Sequence, residues 1–362
     1  MLWSTRKTWL SALGVAVTGG VTATAVLIAT SGGPAPVPIR PVATPSPSPS
    51  PTHTRLRSPF TGEPVKARHR VLIVKIGNTV PERPSTGLSY ADIVYLIPVE
   101  GGLSRIMAVF SSHYPSVIGP VRSAREDDIS LVRQYGRPAL AYSGATATLL
   151  PYIHRTARIV DLYDGRTRGY FRGPHRPMPY NLYAHTKTLL RQAKHASKAR
   201  DIGFRFGQAP AGGRHARSVR VSYPAASFRF TWAAHKKRWL VSMDGAAARS
   251  TGSGRLGAAT VVIQYTKVRK SRFLEYGVPP PYAVSVGSGR AVVLRNGKKY
   301  QAHWSRHRRG VGTTFTTRSG KPMTFARGQV WVVLTAAARP LALQLTLHPL
   351  HPAPPPWHHH DR

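Results

Sequence analysis

The chain has 362 residues, and its 52 Lys and Arg against 13 Asp and Glu give a formal charge of +39 at pH 7. That excess points to a polyanionic setting, while 41% hydrophobic residues can build a packed core of about two domains and exclude a wholly disordered polycation. The sequence has no Cys, which excludes disulfides, thiol nucleophiles, Cys-ligated zinc, iron–sulfur clusters and a lipid-modified N-terminal Cys.

Residues 1–31 read as an export element. After Arg6 and Lys7 no charge occurs until Arg40, and the apolar part, Trp9 to Ala29, is long enough to cross a hydrocarbon core of about 30 Å. Two versions stay open, an uncleaved single-pass membrane anchor and a signal cleaved near Ala23-Thr24-Ala25. In both, the basic flank stays cytoplasmic and the body is placed outside, membrane-held or secreted. Residues 32–57 are rich in Pro and Ser, with a Ser-Pro alternation from Pro45 to Pro51; this composition favours an extended spacer.

Residues 58–201 alternate strand and helix signals. Val71 to Ile76, Ile93 to Ile97, Ile106 to Phe110, Ala139 to Tyr142 and Arg158 to Tyr163 read as strands. Ser123 to Tyr135, with Ser123 as cap and Glu126 three positions on, reads as a helix, as do Ala145 to His154 and His185 to Ala199. The close spacing of the first strands predicts a mixed sheet in an α/β layer. Residues 202–340 change to period two. Val219 to Tyr223, Phe228 to Trp232, Arg238 to Ser242, Thr260 to Tyr265, Ala283 to Val286, Ala291 to Leu294 and Val330 to Leu334 predict a mostly β domain, with turns at Gly287-Ser-Gly289 and Asn296-Gly297. The predicted class is therefore α+β: an N-terminal α/β layer domain with a mixed sheet, then a mostly β C-terminal domain. Residues 341–362 form a Pro/His-rich tail; His358 to His360 lack a ligand framework, so no metal site is expected.

Charge divides unevenly: residues 58–201 hold 21 basic and 10 acidic side chains, residues 202–340 hold 25 and 2. Strand alternation sets Arg220, Arg229 and Arg238 on polar positions, and Lys298, Lys299, Arg306, Arg308 and Arg309 gather around a proposed hairpin. Together these predict a basic surface for anionic polymer. Three polar segments at strand ends suggest a common cleft. They contribute Asn78 and Arg83, then Glu100 and Arg105, then Arg122, Ser123 and Arg125. Glu100 reads either as a general acid or base or as one half of an ion pair with Arg105, Arg122 or Arg125. Arg122, Ser123 and Arg125 read as an anion site at a helix start or as structural groups. No G-x-S-x-G, Walker loop, H-E-x-x-H or dinucleotide fingerprint is present, so no cofactor is expected. Enzyme action is left as the alternative, a hydrolase or lyase on wall glycan through Glu100. Nucleic acid, a second alternative, is disfavoured because Arg is not interleaved with aromatics in a known motif.

Pro59-Phe-Thr-Gly62, Arg83-Pro-Ser-Thr-Gly-Leu-Ser89, Ala91-Asp-Ile-Val-Tyr95, Val99-Glu-Gly-Gly102, Ser104-Arg105, Gly119-Pro-Val-Arg-Ser-Ala-Arg125, Tyr180-Asn181-Leu-Tyr183 and, later, Trp304-Ser-Arg306 and Gly328-Gln-Val-Trp331 occur in this order. This set resembles the YerB-like family of bacterial envelope proteins over most of residues 59–340. The resemblance implies an extracytoplasmic two-domain protein, typically a lipoprotein, with a link to cell-wall synthesis proteins and no established reaction. It also makes Asn181 a candidate ligand-binding residue. Two departures stand out: the lipid-carrying Cys is missing, and Tyr180 stands where the family has His, which weakens acid/base chemistry in that loop.

Overall fold

A computed structural model describes residues 55–336. The apolar run Trp9 to Ala29, nearly all of the spacer and the tail 341–362 lie outside the described residues. Among the described residues no helix is long and apolar enough to cross a membrane.

One large mixed sheet organises the molecule. Its strands run in the order Arg214–His215, Lys298–Arg306, Gly287–Arg295, Thr260–Tyr265, Val330–Thr335, Ile93–Pro98, Ser104–Phe110, Leu72–Ile76, Ala139–Tyr142 and Val160–Tyr163, with Thr314–Thr317 beside Lys298–Arg306. Val330–Thr335, close to the end of the described chain, inserts parallel to both Thr260–Tyr265 and Ile93–Pro98. The N-terminal and C-terminal segments therefore share one sheet, with the α-helices of the described residues confined to the first and strands dominating the second. This is the α+β arrangement expected.

Alternation along buried strands sends side chains to two cores. Leu72, Val74, Val94, Leu96, Val261 and Trp331 face one side, where Phe228, Phe230, Trp239 and Val241 of a smaller antiparallel sheet cover them. That sheet is built from Ser218–Tyr223, Ala226–Ala233, Arg238–Met243 and two short strands. Ile73, Ile93, Tyr95, Val262, Val293 and Val332 face the other side, packed against Ile129, Tyr135, Ile153 and Phe325. Burying both faces explains why these strands are nearly continuous apolar runs, whereas the smaller sheet, covered on one face only, keeps strict alternation.

Several local expectations change. The helix expected from Ser123 begins at Glu126, runs to Leu131 and tightens into a 3-10 turn over Val132–Tyr135. Gly136, at φ 85°, ends it. Ser123 does not cap, because the carboxylate of Asp128 takes the amide of Arg125 at 2.7 Å. The helix expected over His185 to Ala199 covers only Thr186–Gln192. Gly287 to Gly289 is not a turn but the start of a nine-residue strand, and the preceding strand lies at Pro281–Ala283 rather than Ala283 to Val286. Asn296 and Gly297, both at positive φ, do form the hairpin turn.

Candidate functional site

The strand Ile93–Pro98 ends in a tight turn over Glu100–Gly102. Gly101 and Gly102 have φ of 64° and 69°, a region that L side chains avoid. A Cβ on Gly102 would also meet that of Pro224 at 2.6 Å. The glycines thus let the turn press against the smaller sheet, whose Ala225 amide donates to the Gly102 carbonyl at 3.0 Å. This docking aims Glu100 at Arg125. The Arg125 Nε lies 2.5 Å from Glu100 Oε1, and its Nη2 lies 3.2 Å from Glu100 Oε2. The same Nη2 reaches Glu275 Oε1 at 3.3 Å. One buried guanidinium is thereby bracketed by a carboxylate from each segment, Glu100 from the first and Glu275 from the second. Burial alone would push the Glu100 carboxyl up, but the hydrogen bond and charge of Arg125, helped by Arg105, hold it below the ordinary range. Ionised and with both oxygens engaged, Glu100 is poorly placed to be a general acid near neutral pH.

Arg105 and Arg122 lie beside this group. Desolvation and the like charges of Arg125 and Arg122 pull Arg105 down to about 10, and its buried Nε has no hydrogen-bond partner. Arg122 pairs with fully buried Glu82 at 2.8 Å, and the Thr79 amide and hydroxyl both donate to Glu82 at 2.7 Å. Behind them Lys75 and Asp128, both fully buried, meet at 2.8 Å. Neighbouring Asp127 is pushed well up by burial and by the charge of Asp128.

The other expected ligand-binding residues are tied into the framework. Asn78 donates to Ser104 Oγ at 2.7 Å and accepts from Arg83 at 3.3 Å. Arg83 also pairs with Asp244 at 2.8 Å, beside a cavity of 440 Å³. Asn181 joins the Gly173 carbonyl at 3.1 Å and Arg172 at 3.0 Å, pinning its own loop. The short helix that follows Arg122, Ser123 and Arg125 offers no open anion site, because Asp128 occupies its first turn and Arg125 turns away to Glu100.

A cavity of 790 Å³ opens at the carboxyl ends of the three mutually parallel strands, lined by Glu100, Tyr223, Ile263, Tyr265, Glu275 and Thr335 among others. Of the residues expected to share one cleft, Glu100 lines this cavity, Asn78 and Arg83 line the separate cavity of 440 Å³, and Arg105, Arg122, Ser123 and Arg125 line neither. Glu275 was not expected at the site, although the sequence marks it and Asp244 as the only acids of residues 202–340. His154, whose Nδ1 meets Asp161 at 2.6 Å while Tyr142 donates to the same carboxylate at 2.9 Å, was also missed, since its partners lie on other elements.

The expected basic surface divides. Arg220, Arg229 and Arg238 are exposed, and Arg220 stands directly opposite Arg229 across the smaller sheet. Lys298 and Lys299 flank the hairpin turn, but Arg308 and Arg309 follow the far end of the nine-residue strand Lys298–Arg306, about 26 Å away at 3.3 Å per residue. Arg306 is not on the surface. Alternation puts it on the covered face, where it donates to the carbonyls of Val311, Ser285, Ser130 and Arg309.

Residues 60–200 match the N-terminal domain, and residues 219–332 the C-terminal domain, of the protein of unknown function described as DUF3048. The chain belongs to the DUF3048 family. A relative named as a lipoprotein, YerB of Bacillus subtilis (strain 168), is 41% identical over 80 residues, which is 21% of this chain and 24% of that protein. The match thus spans about a quarter of the relative's length. The crystal structure of Bacillus subtilis YerB shares the fold, with a TM-score of 0.67 at 19% identity over 78% of this chain and 97% of that one.

Proposed function

We propose that this DUF3048 protein is an extracytoplasmic, envelope-associated binding protein whose C-terminal segment engages anionic wall polymer, in a setting linked to cell-wall synthesis. The naming of YerB as a lipoprotein and the apolar run Trp9 to Ala29 support the location. One observation carries the binding role. The only two acids in residues 202–340 are committed to arginines of the N-terminal segment, Asp244 to Arg83 and Glu275 to Arg125. Arg220 and Arg229 are left facing each other in solvent, an arrangement unfavourable by itself and relieved by a polyanion laid across both.

The test is binding of the full chain to a phosphate-rich wall polymer and to a neutral wall glycan over a salt series. Expected are a steep decline with salt for the polymer alone and a shallower slope for Arg220→Gln/Arg229→Gln. Equal binding of the neutral glycan at high salt removes the reading. Release of soluble glycan fragments, lost in Glu100→Gln, would instead favour hydrolysis.

A further inference from the structure

The 790 Å³ cavity lies within the range of small-molecule sites, ~300–1,000 Å³. Its mouth is unusual. Eight large hydrophobic side chains are exposed among the described residues, and four of them fall in one stretch of eleven residues: Val268 at 38%, Leu274 at 49%, Tyr276 at 98% and Val278 at 66% exposure. Val268, Tyr276 and Val278 line the cavity, so the exposed patch and the apolar interior are continuous. Such clustering marks an interaction surface rather than scattered apolar residues.

The tip of this loop sets aside two local preferences at once. Glu275 and Val278 exchange backbone hydrogen bonds at 2.8 and 3.0 Å, closing a two-residue turn over Tyr276 and Gly277, at φ 49° and 79°. Asn-Gly is the low-strain choice for such a turn; an almost fully exposed Tyr in the left-handed region is the reverse. The stem carries cations. Lys267, Arg269 and Lys270 are exposed, and none has an ion-pair partner among the described residues. Arg290 lies over the ring of Tyr265 on the cavity wall, 5.8 Å from its centroid. The acids of the wall, Glu100 and Glu275, share the single guanidinium of Arg125, and the charge left over is offset by Arg105 beside Glu100 and by Arg220 on the wall itself.

An apolar hole, a projecting aromatic and aliphatic tip, and unpaired cations beside it are complementary to one ligand class. We propose that the cavity takes the hydrocarbon chain of an anionic phospholipid, with Lys267, Arg269 and Lys270 against the phosphate and the Leu274–Val278 tip in the membrane interface. Arg220 of the polymer-binding pair also lines this cavity, whereas Arg229 does not; Arg220→Gln/Arg229→Gln reads polymer binding and Lys267→Gln/Arg269→Gln/Lys270→Gln reads lipid preference, so failure of one reading is distinguishable from failure of the other.

The test uses the full chain in neutral detergent micelles, a photoactivatable phosphatidylglycerol labelled in its acyl chain, and mapping of the modified peptides. Label is expected in residues 263–281. Tyr276→Asn, which suits the turn, and Ser222→Trp, which fills the cavity from an exposed lining position, should each lower that label at least fivefold with unchanged thermal unfolding. Lys267→Gln/Arg269→Gln/Lys270→Gln should abolish preference over the phosphatidylcholine analogue. Glycerol 3-phosphate should fail to compete. Label confined to residues 9–29, label unchanged by Ser222→Trp, or full competition by glycerol 3-phosphate would each overturn the proposal.

Discussion

Residues 58–201 bury cations against carboxylates: Lys75 on Asp128, Arg122 on Glu82 and Arg125 on Glu100. Residues 202–336, almost without acids, bury two arginines by another route. Arg306 and Arg295 are enclosed by carbonyl oxygens, the latter those of Gln208, Thr324 and Gly207, and burial lowers both from the usual arginine range. The remaining cations of this segment stay outside. The contrast shows that the local supply of carboxylates decides how a guanidinium is desolvated, and that a segment lacking them either wraps the cation in backbone dipoles or leaves it on the surface.

The largest expected effect tests the first mode. Lys75→Met leaves Asp128 buried without its cation and should cost about 3–5 kcal/mol in chemical denaturation. Lys75→Met/Asp128→Leu should recover most of this loss; if the single variant unfolds like the parent, the pair is not desolvated in solution. Arg306→Met tests the second mode, and it should cost about 2–4 kcal/mol because carbonyls, not an opposite charge, lose their partner. Glu100→Gln should cost only about 1–2 kcal/mol, since Arg125 keeps Glu275 and Glu100 is partly solvated. Equal losses for Lys75→Met and Glu100→Gln would erase the distinction between deep and rim pairs.

A buried carboxylate with no ion pair among the described residues extends the comparison to pH. Asp92 accepts from the amides of Ser111 and Ser112 at 2.6 and 2.9 Å, and burial outweighs these bonds, raising it to about 6. A folded value above the unfolded one means that this group's stabilisation is complete below the ordinary Asp range and is lost as pH rises through about 6. Between pH 7 and 5 the parent should therefore gain about 1 kcal/mol relative to Asp92→Asn, read from paired denaturation curves. A parallel pH course in the two proteins refutes the shift. Smallest of all, Arg220→Ser should leave stability unchanged or raise it by up to about 0.5 kcal/mol through relief of the pair with Arg229. A loss above that range would mean the arginines are structural.

Much of this architecture was legible in one dimension. Buried strands such as Ala139–Tyr142 and Thr260–Tyr265 announce themselves as β-branched or small apolar runs, and Asn296-Gly297 as a turn, because strand and turn chemistry is local. Helix ends were less legible, since Asp128 rather than Ser123 satisfies the Arg125 amide and nothing local ranks one above the other. The pairing of Glu100 with one of three arginines was foreseen from the expense of an isolated carboxylate, but the choice of Arg125, and the second carboxylate from Glu275, required the fold.

By itself the sequence determined the strand content, the excess of positive charge and its concentration after residue 201, because composition and periodicity do not depend on which elements meet. Only the tertiary structure decided that Val330–Thr335 inserts beside Ile93–Pro98, joining both segments in one sheet. That insertion sets three strand ends around a single cavity, and the fold brings Glu275 to Arg125 across 150 positions. Each of these depends on contacts between residues more than a hundred positions apart, which no local pattern encodes.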